Sequence, residues 1–293
     1  MRVNDTSLYS KLINLDKSPY EKLNIKLCKQ SLRVPRRTSN LASRAELGRL
    51  PMAHSIIVAL LKYNLRSKLL GTGELLAHAF SSQSKRLRNS YNTLTYSKTC
   101  TSLIDSLGIP LDVDITNGTI RTNCLKRYGN VVKIASIKQF RILFRNNVNL
   151  LDNESRLSVY GSVKREYLYE KYLDMGCQHI SDFTKFRMSI HWLPIERGRY
   201  CKPKIPRDER LCYFCKQYVG TEYHVLMECN HSILKDLREN FLSNIFQLFP
   251  IMVNWPPKTT FQYIMLGIER DILRFVTDWI TQCNRVHKEK GTG

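Results

Sequence analysis

Cys212-Tyr213-Phe214-Cys215, then Glu222-Tyr223-His224-Val225-Leu226-Met227-Glu228-Cys229, is the stretch on which the fold turns. It lies within residues 195–231, where hydrophobic periodicity almost vanishes and Pro203, Pro206 and Gly220 interrupt the chain. A loop of that length inside a compact domain needs something other than an apolar face to hold it, and a metal ion is the usual answer. Two cysteines three residues apart grip one ion from a tight turn, because the intervening amides steady the thiolates. His224 and Cys229 then complete a closed shell of three thiolates and one imidazole, the pattern of a structural Zn2+ rather than a catalytic one. Cys201 and His231 are near enough in sequence to replace one of the four ligands. Cys283 and His287, spaced i, i+4 on one helix face, could bind a metal but read instead as a core cysteine and a frayed terminal histidine.

On both sides of this segment the pattern is helical. Downstream, Leu234, Leu237, Phe241, Ile245 and Leu248 form one apolar stripe. Ile268, Ile272, Phe275, Val276, Trp279, Ile280 and Cys283 form another, with Asn254 to Pro257 as the link. Upstream, Ser181 is a plausible N-cap for a helix carrying Phe183, Phe186, Ile190 and Leu193, which Pro194 ends. Helices are expected over about 162–175, 120–145, 99–107 and 74–89, the last ending in Lys85-Arg86-Leu87-Arg88. A further helical stretch over 42–70 carries Val58, Leu61, Leu65 and Leu69, and Pro51 starts its second piece. The alternation of Leu111, Val113 and Ile115 before Asn117-Gly118 is the best candidate for extended structure. Residues 1–40 are polar and basic, with Arg33, Arg36 and Arg37 around Pro35, and read as a loosely held lead-in. The expected fold is mainly α: a helical bundle, a small irregular zinc-binding segment and a helical C-terminal tail.

Charge narrows the partners. The 293 residues carry a net +21, of which residues 1–150 hold +17 and residues 151–293 only +4. Such a surplus attracts polyanions, above all RNA or DNA, through phosphate neutralisation and counterion release. No long apolar span or lipidation signal argues for a membrane. The opening residues, Met1-Arg2-Val3-Asn4-Asp5-Thr6, are too polar for a secretory signal. Nine cysteines, an odd number scattered along the chain, do not form a disulfide framework, so a reducing compartment, cytoplasm or nucleus, is expected. Around the metal-ligand pattern lie Arg197, Arg199, Tyr200, Lys202, Lys204, Arg207 and Arg210. Together with Lys85, Arg86 and Arg88 they are the candidate nucleic-acid contacts, cations for phosphates and a ring for base stacking.

The run Thr184-Lys185-Phe186-Arg187-Met188-Ser189-Ile190-His191-Trp192-Leu193-Pro194-Ile195-Glu196-Arg197-Gly198-Arg199-Tyr200 resembles a segment near the C-terminus of LINE-class, jockey-like retrotransposon polyproteins. In that family the segment precedes a Cys-x2-Cys and an acidic-aromatic-His-x4-Cys run, here Glu222 to Cys229. Arg44-Ala45-Glu46-Leu47-Gly48-Arg49-Leu50-Pro51 and the Tyr160 to Leu173 stretch resemble further blocks, so the likeness covers roughly residues 42–240. It implies helices that lie behind a reverse-transcriptase palm, followed by a zinc-knuckle-like segment that binds nucleic acid. On this reading residues 1–41 are the lead-in, 42–150 a basic helical region, 151–195 a helical connector, 196–231 the zinc-knuckle-like segment and 232–293 the tail.

The parts that would make an enzyme are missing from the sequence. A reverse transcriptase aligns primer and triphosphate with two metal ions on clustered aspartates, yet there is no Asp-Asp pair or Tyr-x-Asp-Asp. Asp112 and Asp114 read as local caps. The expectation is therefore a non-catalytic chain that binds nucleic acid, with a separate polymerase as a further candidate partner. The alternative is a helical interaction module with a purely structural zinc, using the Ile268 to Cys283 stripe as its surface. A metal-dependent nuclease would have to rely on His191 with Glu196.

Overall fold

The computed structural model describes residues 18–69, 75, 78–79, 82, 96–109, 118–149, 157–164 and 166–291, and among these the regular structure is helical, with only two isolated β-bridges. The helices are α1 (Pro19–Ser31), α2 (Asn40–Glu46), α3 (Met52–Leu69), α4 (Tyr96–Leu107), α5 (Gly118–Asn149), α6 (Ser158–Val163), α7 (Ile180–Arg187), α8 (Pro194–Arg197), α9 (Ser232–Leu248), α10 (Pro257–Leu266) and α11 (Arg270–Gly291). Short 3-10 turns occupy Lys171–Asp174 and Pro250–Asn254, and a π-helical turn spans His224–Glu228. The mainly α expectation, with an irregular segment before a helical tail, matches this order.

The chain forms two compact units that interleave in sequence. One takes residues 1–25 and 50–144, the other residues 26–49 and 145–293. In the first unit Ile57, Leu61 and Leu65 of α3 are buried, as are Leu103 and Ile104 of α4 and Val132, Phe140 and Phe144 of α5. The α3 start is capped from a distance, where Glu21 Oε2 accepts the Met52 amide at 2.7 Å. His54 Nδ1 and Ser136 Oγ, 2.6 Å apart, join α3 to α5. Gly129 on α5 is where the Lys62 side chain crosses, and an added Cβ would come within 2.2 Å of its Cε.

The second unit is built around α9 and α11, which pack along their lengths with Phe241 and Trp279 stacked at 4.1 Å. Helix α7 packs on α11, and α6 packs on α10. The stripe from Ile272 to Cys283 is core here: Ile272, Val276, Trp279, Ile280 and Cys283 are buried and only Ile268 is exposed. That leaves little of it to serve as a partner surface.

A buried ionic network ties the unit together. Arg187, at the end of α7, has Nε 3.3 Å from Glu46 Oε1 and Nη2 3.6 Å from Glu170 Oε2. Its Nη1 donates to the carbonyls of Met265 and Leu266 at 2.9 and 3.1 Å. The Tyr172 ring lies 5.0 Å from the guanidinium, and the Tyr172 hydroxyl donates to Glu46 and lies 3.1 Å from Thr184 Oγ1. Lys164 pairs with Glu170 and donates to the Leu168 carbonyl. Burial opposes the charge on Arg187, but Glu46 and Glu170 hold its pKa above the ordinary arginine value. Beside the network Gly48 takes φ +57, and a Cβ there would meet the Tyr169 amide nitrogen at 2.5 Å, so only glycine closes this turn.

Several boundaries differ from the sequence reading. Residues 19–31 of the lead-in are helical, because Ile25 and Cys28 bury an apolar face. The helix expected over 162–175 is instead α6 and a 3-10 turn, since Lys164 and Glu170 turn inward to the network. Helix α7 starts one residue before Ser181, behind a left-handed His179 that makes no side-chain cap. It stops at Arg187, although Ile190 and Leu193 are still buried. Helix α10 occupies a stretch that the reading left unassigned after Pro257. Residues 111–117, with Asp112 and Asp114, and most of the 74–89 stretch lie outside the described residues.

Arg187→Met would leave Glu46 buried without its cation, and stability should fall by about 3–5 kcal/mol. Urea unfolding followed by circular dichroism measures this, and a loss under about 1 kcal/mol would show that the pair contributes little.

Candidate metal centre

Two arms of the second unit deliver the four candidate ligands. The first is a tight hairpin in which the Cys212 amide donates to the Tyr218 carbonyl at 2.8 Å and Leu211 bridges Val219. The turn is completed by Lys216, at φ +56, whose amide donates to the Cys212 carbonyl at 3.0 Å. The second arm is the π-helical turn, closed by the Cys229 amide donating to the His224 carbonyl at 2.8 Å. Thr221 Oγ1 caps its start by accepting the His224 amide at 3.0 Å. The extra residue of a π turn places the His224 and Cys229 side chains on one side.

The donor atoms of Cys212, Cys215, His224 and Cys229 all lie within 4.8 Å of one another. Cys212 Sγ is 3.9 Å from Cys229 Sγ, and Cys215 Sγ is 3.3 Å from His224 Nε2. Ligands about 2.3 Å (sulfur) and 2.0 Å (nitrogen) from a tetrahedral ion stand about 3.8 and 3.5 Å apart, so the spacing suits one ion. His224 Nδ1 is 3.6 Å from Glu228 Oε2, an arrangement that turns Nε2 toward the thiols. Burial lowers the His224 pKa, which keeps the imidazole neutral and able to ligate.

The sulfurs are set up for a cation in the same way. Burial pushes the Cys212 thiol up and the Cys229 thiol up to about 12, so neither ionises readily alone. Backbone amides of Phe214 and Cys215 are nonetheless aimed at the Cys212 sulfur, and the His231 amide at that of Cys229. At Cys215 burial is outweighed by the amides of Gln217 and Tyr218, and the thiol falls below its ordinary value. Amides converging on buried sulfurs favour thiolates, and a metal ion supplies the remaining stabilisation. These four residues could hold a metal ion. Cys201 is exposed and His231 stacks 5.1 Å from Phe214, so neither joins the cluster.

The surrounding frame reaches into the core. Glu222 Oε1 accepts from Ser189 Oγ at 3.2 Å and pairs with His191 Nε2 at 2.8 Å. Burial would raise the Glu222 carboxyl, but His191 and Ser189 hold it below its usual value. His191 is thus engaged by Glu222 rather than by Glu196, which instead meets Arg199 and Tyr200. The two residues thus have different partners. No sequence spacing joins Ser189 and His191 to Glu222, and none joins Glu46 to Arg187; both sets were invisible until the chain folded.

The candidate nucleic-acid contacts divide into two kinds. Lys202 and Lys204 are exposed, Arg207 is half-buried, and Tyr200 is 41% exposed. Arg210 is structural, with Nε and Nη2 on the Ile205 carbonyl at 2.9 and 2.8 Å and Nη1 on Ile195 at 3.0 Å. Arg197 lies 4.3 Å over the Trp192 ring, Arg199 pairs with Glu196 at 3.2 Å, and Arg37 lies 4.5 Å over Tyr200. Lys85, Arg86 and Arg88 lie outside the described residues. No helix among the described residues is long and apolar enough to cross a membrane. No protein-family model, curated protein or solved structure matches the chain.

Helix α11 closes over the hairpin, with His287 packed edge-on to Phe214 at 4.9 Å. His287 Nδ1 lies 2.8 Å from the Cys283 carbonyl and so carries the proton, while buried Nε2 has no partner. Burial lowers its pKa to about 4. The unfolded imidazole titrates near 6.5, so its contribution is complete above that pH and is lost as pH falls toward 4. Thermal melts between pH 7 and 5 should therefore show a steeper loss for the parent than for His287→Leu. The shift corresponds to roughly 2–4 kcal/mol over the full window, and parallel pH profiles would remove the assignment.

Proposed function

We propose that this chain is the non-catalytic, nucleic-acid-binding C-terminal portion of a retrotransposon-derived reverse transcriptase, and that it holds one structural zinc ion. The observation that carries the reading is the Cys3His cluster, built on a hairpin and a π turn and preceded in the chain by exposed Lys202 and Lys204. Three thiolates and one imidazole make a donor set that suits zinc, and with all four positions taken by protein the ion has no open site for substrate. Its contribution is to fold the 196–231 segment. The lineage is read from the sequence blocks that resemble LINE-class polyproteins, at 44–51, 160–173 and 184–200.

The net charge of +21 supports RNA or DNA as partner, engaged mainly through phosphates. A separate polymerase is a further proposed partner, on the resemblance to LINE-class polyproteins. Lys202 and Lys204, exposed in the stretch before Cys212, carry phosphate contacts, and Tyr200, 41% exposed, offers a ring for stacking.

Plasma mass spectrometry of protein purified without chelator should find about one zinc per chain, and Cys212→Ser/Cys215→Ser should lose it. Absence of zinc, or another metal in its place, would overturn the zinc assignment. Fluorescence anisotropy with a single-stranded oligonucleotide should show affinity falling steeply with salt. Lys202→Ala/Lys204→Ala should reduce the slope of log K against log salt by about 1.4, two phosphate contacts' worth. Binding that ignores salt would sink the phosphate-contact reading.

A further inference from the structure

One position on α9 breaks the helix's own pattern. Leu234, Phe241 and Ile245 form its buried apolar face, and the remaining place on that face, where a leucine would complete the repeat, holds Arg238. The residue is only 8% exposed. A guanidinium withdrawn from water is costly unless an anion balances it. Among the described residues no carboxylate pairs with Arg238: its neighbours Asp236 and Glu239 are exposed, and Glu239 meets Lys235 at 3.7 Å. What it reaches is the second metal-ligand arm, where its Nη1 donates to the Cys229 carbonyl at 2.9 Å. Its charge is also felt nearby. At His224 burial lowers the pKa and Arg238 adds to that, and at Cys283 burial raises the thiol against the pull of Arg238.

The four metal-ligand residues have the opposite imbalance. Three thiolates and a neutral imidazole around a divalent ion leave one negative charge in excess. Cys212 and Cys229 are buried in the same apolar cluster as Val225, Leu226, Leu234 and Phe241, where an uncompensated charge is unfavourable. Other cations of the segment are placed differently. Arg210 is engaged by the carbonyls of Ile195 and Ile205, and Lys216 is exposed, 5.6 Å from the Tyr213 ring. Glu228, beside His224 Nδ1, adds negative charge from the solvent side, with its side chain 52% exposed. A buried cation without an anion and a buried donor set with a surplus of anions thus meet at the Cys229 carbonyl.

We propose that Arg238 is the built-in counter-ion of the metal centre, a positioning residue whose charge balances the excess negative charge of the three thiolates. The inference rests on the reading that the cluster holds a divalent metal ion, and it adds a fifth residue to the four ligands. It also accounts for an arginine on a helix face that packing alone would fill with leucine. The hydrogen bond to the Cys229 carbonyl fixes the charge beside the last ligand. Outer-shell partners of this kind change metal affinity by about ten- to a hundredfold.

The test uses the full chain, with zinc titrated in competition with a chelator and cobalt as a coloured substitute. Arg238→Gln keeps an N–H donor for the Cys229 carbonyl and removes the charge, whereas Arg238→Lys keeps the charge and loses the planar fork. Zinc should bind Arg238→Gln about ten- to a hundredfold more weakly than the parent, and Arg238→Lys within about threefold of it. In the cobalt forms the thiolate-to-metal charge-transfer band should move to longer wavelength in Arg238→Gln, because a nearby cation lowers the energy of the sulfur electrons. The band should stay in place in Arg238→Lys. Parent-like zinc affinity or an unshifted band in Arg238→Gln would overturn the counter-ion and leave the metal reading standing. A loss of more than about tenfold in Arg238→Lys would do the same, and this arm decides alone if circular dichroism shows that Arg238→Gln does not fold. A parent chain that binds neither zinc nor cobalt would overturn both.

Discussion

Arg187 is a fully buried guanidinium that stays charged, and five N–H donors in a rigid fork must find acceptors wherever it sits. Its Nη1 finds them on the last carbonyls of α10, and its charge pairs with two further pieces of chain, Glu46 at the end of α2 and Glu170 before a 3-10 turn. Those pieces cannot drift without stranding a charge in a low-dielectric interior. An apolar side chain of the same volume would serve packing as well or better, but it would not dictate which segments meet. The network therefore acts on arrangement more than on net stability. It also explains why regular helix is lost between Val163 and Ile180: Lys164, Glu170 and Tyr172 are turned toward the guanidinium, where a helical repeat would scatter them.

The metal-ligand segment leans on this frame. Helix α7 ends at Arg187, and the chain runs on to Ser189 and His191, which hold Glu222 two residues before His224. Cys212, Val225, Leu226 and Cys229 belong to the same apolar cluster as Phe241 and Trp279. The segment is thus neither an appendage nor independent of the core. Its hairpin and π turn also pack Phe214, Val219 and Met227 against that cluster, and the four converging donors are what an ion would use to join them.

Net charge says that a polyanion is attracted, and burial says which cations are available to it. Arg210 is consumed by carbonyls and Arg199 by Glu196, whereas Lys202 and Lys204 stand in solvent. Arginine's planar fork suits the structural role, and lysine's flexible ammonium suits a phosphate contact. Seven basic or aromatic candidates in one stretch of sequence are therefore not seven equivalent contacts.

The sequence by itself determined the helical class, the two C-terminal apolar stripes, the break at Pro51 and the four-residue metal pattern. Each of these is written in local terms: a 3.6-residue period, a proline, or a ligand spacing short enough for one turn to satisfy. Only the tertiary structure decided that Glu46 meets Arg187, that Glu222 meets His191, that the units interleave, and that α10 exists as a separate helix. These depend on partners tens to more than a hundred residues apart, and a single sequence carries no signal for pairing at that range. Helix ends misplaced by the sequence reading, at 162–175 and after Arg187, fall where the buried network competes with helical hydrogen bonds and wins. That competition is settled by desolvation of charge, which depends on what surrounds a residue and not on its neighbours in the chain.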